Sequence, residues 1–120
     1  MRVEESKENY LETILLLEKR TGFVRSIDIA IEMGFSKPSV SSAMKKFRKE
    51  GYIEVLDKGR VVLTPKGQTV AEETYERHCV LSKLLMHIGV SEEIALADAC
   101  RMEHVISVET FECMKKFLDN

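Results

Sequence analysis

The first segment of the chain repeats its apolar positions with the period of a helix. Over residues 5–20 these side chains recur at intervals of three and four, which places them on one face of an amphipathic helix. The pattern stops before Thr21-Gly22, so the sequence predicts a helix over 5–20. Its predicted buried face consists of Tyr10, Leu11, Ile14, Leu15 and Leu17.

Two shorter helical patterns follow, joined by a turn that contains glycine. Ser26 is a candidate N-cap for a helix over 27–33, and Gly34 is placed to end it. A third helix is predicted to begin within 35–38, where proline fits the first turn, and to end near Gly51. Two short helices separated by a tight turn are typical of a helix-turn-helix. The predicted inward side chains of the third helix are Val40, Met44 and Phe47.

The next segment changes to the alternation of a strand. Residues 52–56 and 60–63 are predicted to form a hairpin around the turn Asp57-Lys58-Gly59. A hairpin directly after a helix-turn-helix makes it a winged helix. The sequence therefore predicts an N-terminal winged helix-turn-helix with a two-stranded wing over 1–66.

The rest of the chain predicts three further helices. A long helix over 66–88 ends at Gly89, and Ser91 is a candidate cap for a helix that runs through 100–104. Ser107 is a candidate cap for a last helix over 108–118. The predicted fold is mainly α, with an all-α second domain over 67–120.

Composition narrows the class of protein. The 120 residues are 44% hydrophobic, which is enough for a core, and no apolar run approaches the ~20 residues that span a bilayer. Charges close to the N-terminus argue against a signal peptide, so we expect a cytoplasmic protein that does not insert into a membrane. Three cysteines, Cys79, Cys100 and Cys113, cannot all pair within one chain, and we expect reduced thiols.

The net charge of −2 is divided unevenly along the chain. Residues 1–66 carry 13 Lys and Arg against 10 Asp and Glu, which is +3, whereas 67–120 carry 5 against 10, which is −5. Within 36–60 the count is 7 against 3. Local positive charge on a winged helix favours nucleic-acid binding, although a solvated charged face could produce the same numbers.

The third helix is the predicted DNA-reading element, with its N-terminal end towards the base edges in the major groove. Hydroxyl groups can donate to or accept from bases and phosphates, and lysines supply charge. With few amide or guanidinium groups on this face, much of the reading would depend on DNA shape. The alternative is that the serines only cap and solubilise a surface helix. The candidate DNA-binding residues are Arg25, Ser36, Lys37, Pro38, Ser39, Ser41, Ser42, Lys45 and, on the wing, Lys58 and Arg60.

A second chemical pattern is the segment 100–104, which holds Cys100, Glu103 and His104. At spacings i, i+3 and i+4 these side chains would share one face of a helix. Thiolate, carboxylate and imidazole together suit a divalent first-row transition ion. Further ligands are predicted from His78 on the long helix and from Asn9 and Glu12, which are i, i+3 on the first helix. Each of these three residues could instead be an ordinary surface or core side chain.

The chain resembles the diphtheria-toxin-repressor family of iron- and manganese-dependent bacterial repressors. The resemblance rests on five segments that together span nearly the whole chain in the order of the family. They are Glu8-Asn9-Tyr10-Leu11-Glu12, Ser36-Lys37-Pro38-Ser39-Val40-Ser41, Leu63-Thr64-Pro65-Lys66-Gly67, Arg77-His78 and Cys100-Arg101-Met102-Glu103-His104-Val105-Ile106-Ser107.

This resemblance implies roles for the candidate ligands. Cys100, Glu103 and His104 correspond to the primary metal cluster, to which Asn9 would add a ligand. His78 and Glu12 correspond to a neighbouring second position. Cys100 is similar to the iron-type members and Glu12 to the manganese-type members. The family usually has a Met or Asp ligand where this chain has Asn9, and its iron-type second site uses ligands where this chain has Ser82 and Leu96. Binding of one ion or two is therefore left open.

The resemblance makes the second domain a dimerisation and metal-binding domain. We expect a repressor that uses Fe²⁺ or Mn²⁺, accepts other divalent ions in vitro, and controls metal-uptake genes. Metal would link the first helix to the dimerisation-side helices, so that a homodimer fits a palindromic double-stranded operator. The expected dimer face is apolar: Ile94, Val105, Ile106, Phe111 and Leu118.

Three other functions remain possible at the level of the sequence. A winged-helix regulator could sense redox state through Cys100 or Cys79, or it could bind an organic ligand. A metalloenzyme would need an open coordination position. However, we find no nucleophile–base pair and no phosphate-binding loop, and we expect no enzyme.

Overall fold

The structure is a computed structural model that describes residues 3–119. It contains α1 (Val3–Thr21), α2 (Ser26–Met33), α3 (Lys37–Lys49), β1 (Ile53–Val55), β2 (Val61–Leu63), α4 (Pro65–His87), α5 (Glu92–Met102) and α6 (Val108–Asp119). The predicted mainly-α fold with a two-stranded wing is confirmed. Within the described range, no helix is both long and apolar enough to cross a bilayer.

The chain divides into two compact units between Glu72 and Glu73. This division lies inside α4, which is one continuous helix through that point. The predicted domain limits of 1–66 and 67–120 stay a prediction, because a helix without a break marks neither place.

The core of the first unit forms around α1. The five apolar side chains predicted for its inner face are all buried, as are Val40, Met44 and Phe47 of α3. The Tyr10 ring lies 5.5 Å from the ring of Phe47 and 5.9 Å from that of Phe35, measured between centroids. Burial raises the pKa of the Tyr10 phenol. These contacts fix the reading helix against α1.

The wing is a short antiparallel hairpin in which Ile53 faces Leu63 and Val55 faces Val61. Its turn is a 3₁₀ segment, Asp57–Gly59, and Lys58 adopts a left-handed backbone conformation with φ of 63°. The Val61 N–H donates to Val24 O at 2.7 Å, which ties the wing to the segment before α2.

Two predicted helix ends need correction. The helix predicted to be capped by Ser26 begins at that residue, and its N-cap is Arg25, whose backbone N–H donates to the Asp28 carboxylate at 2.9 Å. Asp28, the third residue of the helix, thus accepts from the backbone N–H of the N-cap residue, as the acidic residue of a capping box does. The predicted stop at Gly34 is confirmed, with φ of 70°.

The helix predicted to run through 100–104 ends earlier, at Met102. The Glu103 N–H still donates to Ala99 O at 3.0 Å, four residues back, as in an α-helix. The Val105 N–H instead donates to Met102 O at 3.1 Å, only three residues back, so the α-helical pattern ends here. Residues 103–107 therefore form a turn before α6. Ser107 caps α6 as predicted, since its hydroxyl accepts from the Thr110 N–H at 3.1 Å.

Candidate functional site

The most deeply buried acidic side chain among the described residues is that of Glu103. It is 1% exposed and lies in the turn directly after α5. A carboxylate removed from water is costly unless protons or positive charge compensate it. The surroundings of Glu103 therefore define the candidate site of the second unit.

Two imidazoles lie against this carboxylate, one on each oxygen. His78 of α4 places Nδ1 3.1 Å from Oε2 of Glu103, and His104 places Nε2 3.3 Å from Oε1. Oε1 is fully buried and accepts no hydrogen bond within the described part of the chain. Ring nitrogens and carboxylate oxygens both carry lone pairs, so close approach requires a proton or a cation to be shared between them.

This donor set fits a divalent transition ion. Imidazole nitrogens with a carboxylate oxygen are ligands that iron, manganese and zinc sites all use. Among the side chains that the structure describes, residues 6–119, no three from His, Cys, Asp or Glu are gathered around one point that could hold an ion. The residues therefore fit a metal ion in the types of their donor atoms and in the proximity of those atoms. Side chains would have to rotate to complete a coordination sphere.

Cys100 differs from Glu103 in its exposure. It is exposed on α5, whereas the Glu103 side chain is buried beyond the end of that helix. The helix ends at Met102, so Glu103 and His104 follow it in a turn, and a shared face for Cys100, Glu103 and His104 stays a prediction. The role of Cys100 as a ligand stays a prediction.

The two remaining candidate ligands belong to the first unit. Asn9 is half-buried and Glu12 is buried, and both lie on α1 at the predicted i, i+3 spacing. Their assignment as ligands stays a prediction that rests on the resemblance.

Arg77, which no sequence pattern marked as a separate functional residue, contacts the turn that carries Glu103. Its guanidinium donates to Glu103 O at 3.2 Å and to Ile106 O at 2.9 Å. No spacing rule could have found this contact, because it joins residues 26 and 29 positions apart in the chain.

In the first unit, the predicted DNA-reading side chains of α3 are all accessible. Ser36 is the N-cap of the helix, and its Oγ accepts from the Ser39 N–H at 3.3 Å. Part of the hydroxyl chemistry is therefore used for capping, as the alternative interpretation expected. The seven predicted residues on this surface are exposed: Ser36, Lys37, Pro38, Ser39, Ser41, Ser42 and Lys45.

The three remaining DNA candidates differ from one another. Lys58 is exposed at the tip of the wing, where it could meet a phosphate. Arg25 is exposed, and its guanidinium lies 5.2 Å from the centre of the Phe23 ring. Arg60 is only half-exposed and pairs with Glu18 at 2.9 Å, so its charge is already engaged within the protein. No contact with DNA is established for any of them.

Two family models match the chain in succession. Residues 2–61 match "Iron dependent repressor, N-terminal DNA binding domain", and residues 64–120 match "Iron dependent repressor, metal binding and dimerisation domain". Together they cover nearly the whole sequence.

Individual relatives agree with these models. The chain is 37% identical over 110 residues to the transcriptional regulator MntR of Salmonella typhimurium, covering 92% of this chain and 70% of that protein. It is 38% identical over 103 residues to the HTH-type transcriptional regulator MntR of Geobacillus kaustophilus, covering 85% and 72%. The solved structure of the manganese regulator SloR superimposes with a TM-score of 0.82 at 32% identity. That match covers 94% of this chain but 53% of SloR, so the chain spans about half the length of that relative.

Proposed function

Because this chain belongs to the iron-dependent repressor family, we propose that it is a DNA-binding transcriptional repressor that requires Fe²⁺ or Mn²⁺. The observation that carries the proposal is the buried Glu103 carboxylate with an imidazole on each oxygen, in a chain that also folds into a winged helix. The proposed role is regulatory rather than catalytic, and it would place the protein in the cytoplasm with its operator.

His78, Glu103 and His104 are the residues that would hold the ion, with Cys100, Asn9 and Glu12 as predicted additional ligands. A bound divalent ion would supply the positive charge that the buried carboxylate lacks. His78 belongs to α4, whereas Glu103 and His104 belong to the turn after α5. An ion that binds all three side chains would restrict their motion and fix α4 relative to the turn. Metal binding would in this way order the protein.

The first unit would supply the DNA contacts. The exposed N-terminal face of α3 presents hydroxyls and lysines to a groove, and Lys58 on the wing adds a phosphate contact. Two copies related by a two-fold axis would read a palindromic operator, with half-sites one helical turn or a multiple of it apart. Metal acts as co-repressor if it favours the dimer whose reading helices have that spacing.

The proposal is tested by DNA binding with and without metal. An operator duplex is first selected from a random pool with Mn²⁺ present, and its affinity is then measured by fluorescence anisotropy under anaerobic conditions. We expect Fe²⁺ or Mn²⁺ to tighten binding about 5- to 150-fold, because coupling energies of about 1–3 kcal/mol are usual for allosteric ligands. The tightening should disappear in Glu103→Ala and His104→Ala.

The matched control is Glu109→Ala, because Glu109 is an exposed carboxylate of the same unit. This variant should respond to metal as the wild type does. An operator affinity that is the same with and without metal, in the wild type, would refute the proposal. Elemental analysis of protein prepared without oxygen then decides between iron and manganese, since air would oxidise Fe²⁺.

A further inference from the structure

An arginine of α4 holds the turn that carries Glu103 and His104. The Arg77 guanidinium donates to the backbone carbonyl of Glu103 at 3.2 Å and to that of Ile106 at 2.9 Å. The Glu103 carbonyl is at the C-cap of α5, where backbone acceptors lack intrahelical partners, and the Ile106 carbonyl lies in the turn before α6. Both hydrogen bonds are donated by Nη1, whose two N–H groups serve the two acceptors at once.

The arginine is itself fixed in place from α6. Its guanidinium carbon lies 5.3 Å from the centre of the Phe111 ring, and Phe111 is 6% exposed. A cation over an aromatic face is attracted by the ring electrons. The ring therefore restricts the orientation of the guanidinium while its N–H groups hold the turn.

Consecutive residues of α4 thus contact Glu103 at two points. Arg77 binds its backbone carbonyl, and His78 lies against its carboxylate. We propose that Arg77 is a positioning residue of the metal centre, which presets the 103–106 turn so that the Glu103 carboxylate and the His104 imidazole are ready for the ion. This inference rests on the proposed function, because it assumes that these side chains bind metal.

Loss of the two Arg77 hydrogen bonds should weaken metal binding without removing a ligand. The turn would sample more conformations, and the ion would have to order it on binding. Groups that orient metal ligands typically change metal affinity by 10- to 100-fold when they are removed. We therefore expect Arg77→Met, which keeps an unbranched stem but no donor, to bind Co²⁺ about tenfold or more weakly.

The matched control is Lys115→Met. Lys115 also joins α6 to α4, through an ion pair with Glu76 at 2.8 Å, and this hydrogen bond raises the pKa of its ammonium. It lies in the same unit but donates to neither carbonyl of the turn. Its substitution removes a cation between the same two helices, and Co²⁺ affinity should stay within about twofold of wild type.

The experiment titrates the purified full chain with Co²⁺ and follows the visible ligand-field absorption, while urea unfolding of metal-free protein reports stability. Arg77→Met should lower the affinity and alter the absorption spectrum at saturation, which a loss of stability alone would not do. Arg77→Lys should recover part of the affinity, because one ammonium can reach a carbonyl. If Arg77→Met does not fold, Arg77→Lys decides: affinity and spectrum equal to wild type overturn the inference.

Glu103→Gln separates the two hypotheses. If Glu103→Gln loses Co²⁺ binding and Arg77→Met binds as the wild type does, the metal centre stands and the positioning role is overturned. If Glu103→Gln binds Co²⁺ with unchanged affinity and spectrum, the proposed metal centre itself fails. Weak binding by both variants, with an unchanged Lys115→Met control, supports both.

Discussion

Arg60 illustrates how a residue type alone does not determine its use. Its position on the wing suggested a contact with the DNA backbone, but its guanidinium donates to the Glu18 carboxylate at 2.9 Å and to Gly22 O at 3.2 Å. The same group lies 5.4 Å from the centre of the Phe23 ring. Arg60 thus ties the start of β2 to the end of α1, and a DNA phosphate would have to compete with Glu18 for it.

At this scale we predict that Arg60→Met lowers the free energy of unfolding. The ion pair is only partly screened from water, so its loss, together with that of the ring contact, should cost about 1 kcal/mol. Urea unfolding at low salt measures the change. Arg20→Met is the control, because Arg20 makes a similar pair with Glu32 at 2.7 Å in a more exposed position, and its effect should stay below about 0.5 kcal/mol. Equal losses in the two variants would contradict an internal role for Arg60.

Among the helices, α4 depends on a close approach at its first turn. A β-carbon at Gly67 would lie 2.0 Å from the backbone oxygen of Tyr52, the residue before β1. That oxygen also accepts from the Thr64 N–H at 3.1 Å, so it cannot move away without breaking a hydrogen bond. The beginning of α4 is thereby fixed against the beginning of the wing.

Gly67→Ala should therefore destabilise the protein, against the usual preference of helices for alanine over glycine. That preference is worth about 1 kcal/mol in favour of alanine, whereas overpacking against backbone costs about 1–3 kcal/mol. A net loss of about 1 kcal/mol or more in thermal or urea unfolding is expected. Thr69→Ala, at an exposed position of the same helix, should change stability by less than about 0.5 kcal/mol. A Gly67→Ala protein more stable than wild type would show that the contact can relax.

At the scale of the whole molecule, the apolar surface of the second unit bears on assembly. Several large apolar side chains there are exposed, among them Ile94 at 53% and Val105 at 56%. Phe111 was predicted to belong to the dimer face, but it is 6% exposed and packs under Arg77, so it belongs to the interior of the unit. Exposed apolar side chains on a soluble protein favour association with a partner.

We predict that Ile94→Glu weakens the proposed homodimer at least tenfold in sedimentation equilibrium, because the interface would have to bury an unpaired charge. Ile31→Glu is the control, since Ile31 is 73% exposed on α2 of the first unit. It introduces the same charge elsewhere and should leave self-association unchanged. A wild-type protein that remains monomeric with Mn²⁺ at working concentrations would remove the dimer from the proposal.

The period of the apolar positions was sufficient to predict every helix and the wing. The α1 pattern gave its buried face correctly, and Gly34 and Ser107 marked helix boundaries through their own backbone and side-chain chemistry. The errors concern one helix start and one helix end. The N-cap of α2 is Arg25 rather than Ser26. α5 ends at Met102, just before a turn whose carbonyls accept hydrogen bonds from Arg77, a residue distant in the chain.

The same division holds for the candidate metal centre. The segment Cys100–His104 identified the donor types, and the long helix offered His78 as a further ligand, because both depend on residue identity along the chain. Only the tertiary structure decided that Glu103 is buried between two imidazoles, that Cys100 is exposed, and that Arg77 holds the turn. The period of apolar positions predicts which face of a helix a side chain occupies. It does not predict contacts between distant segments, because these depend on how the faces pack together and where each helix ends.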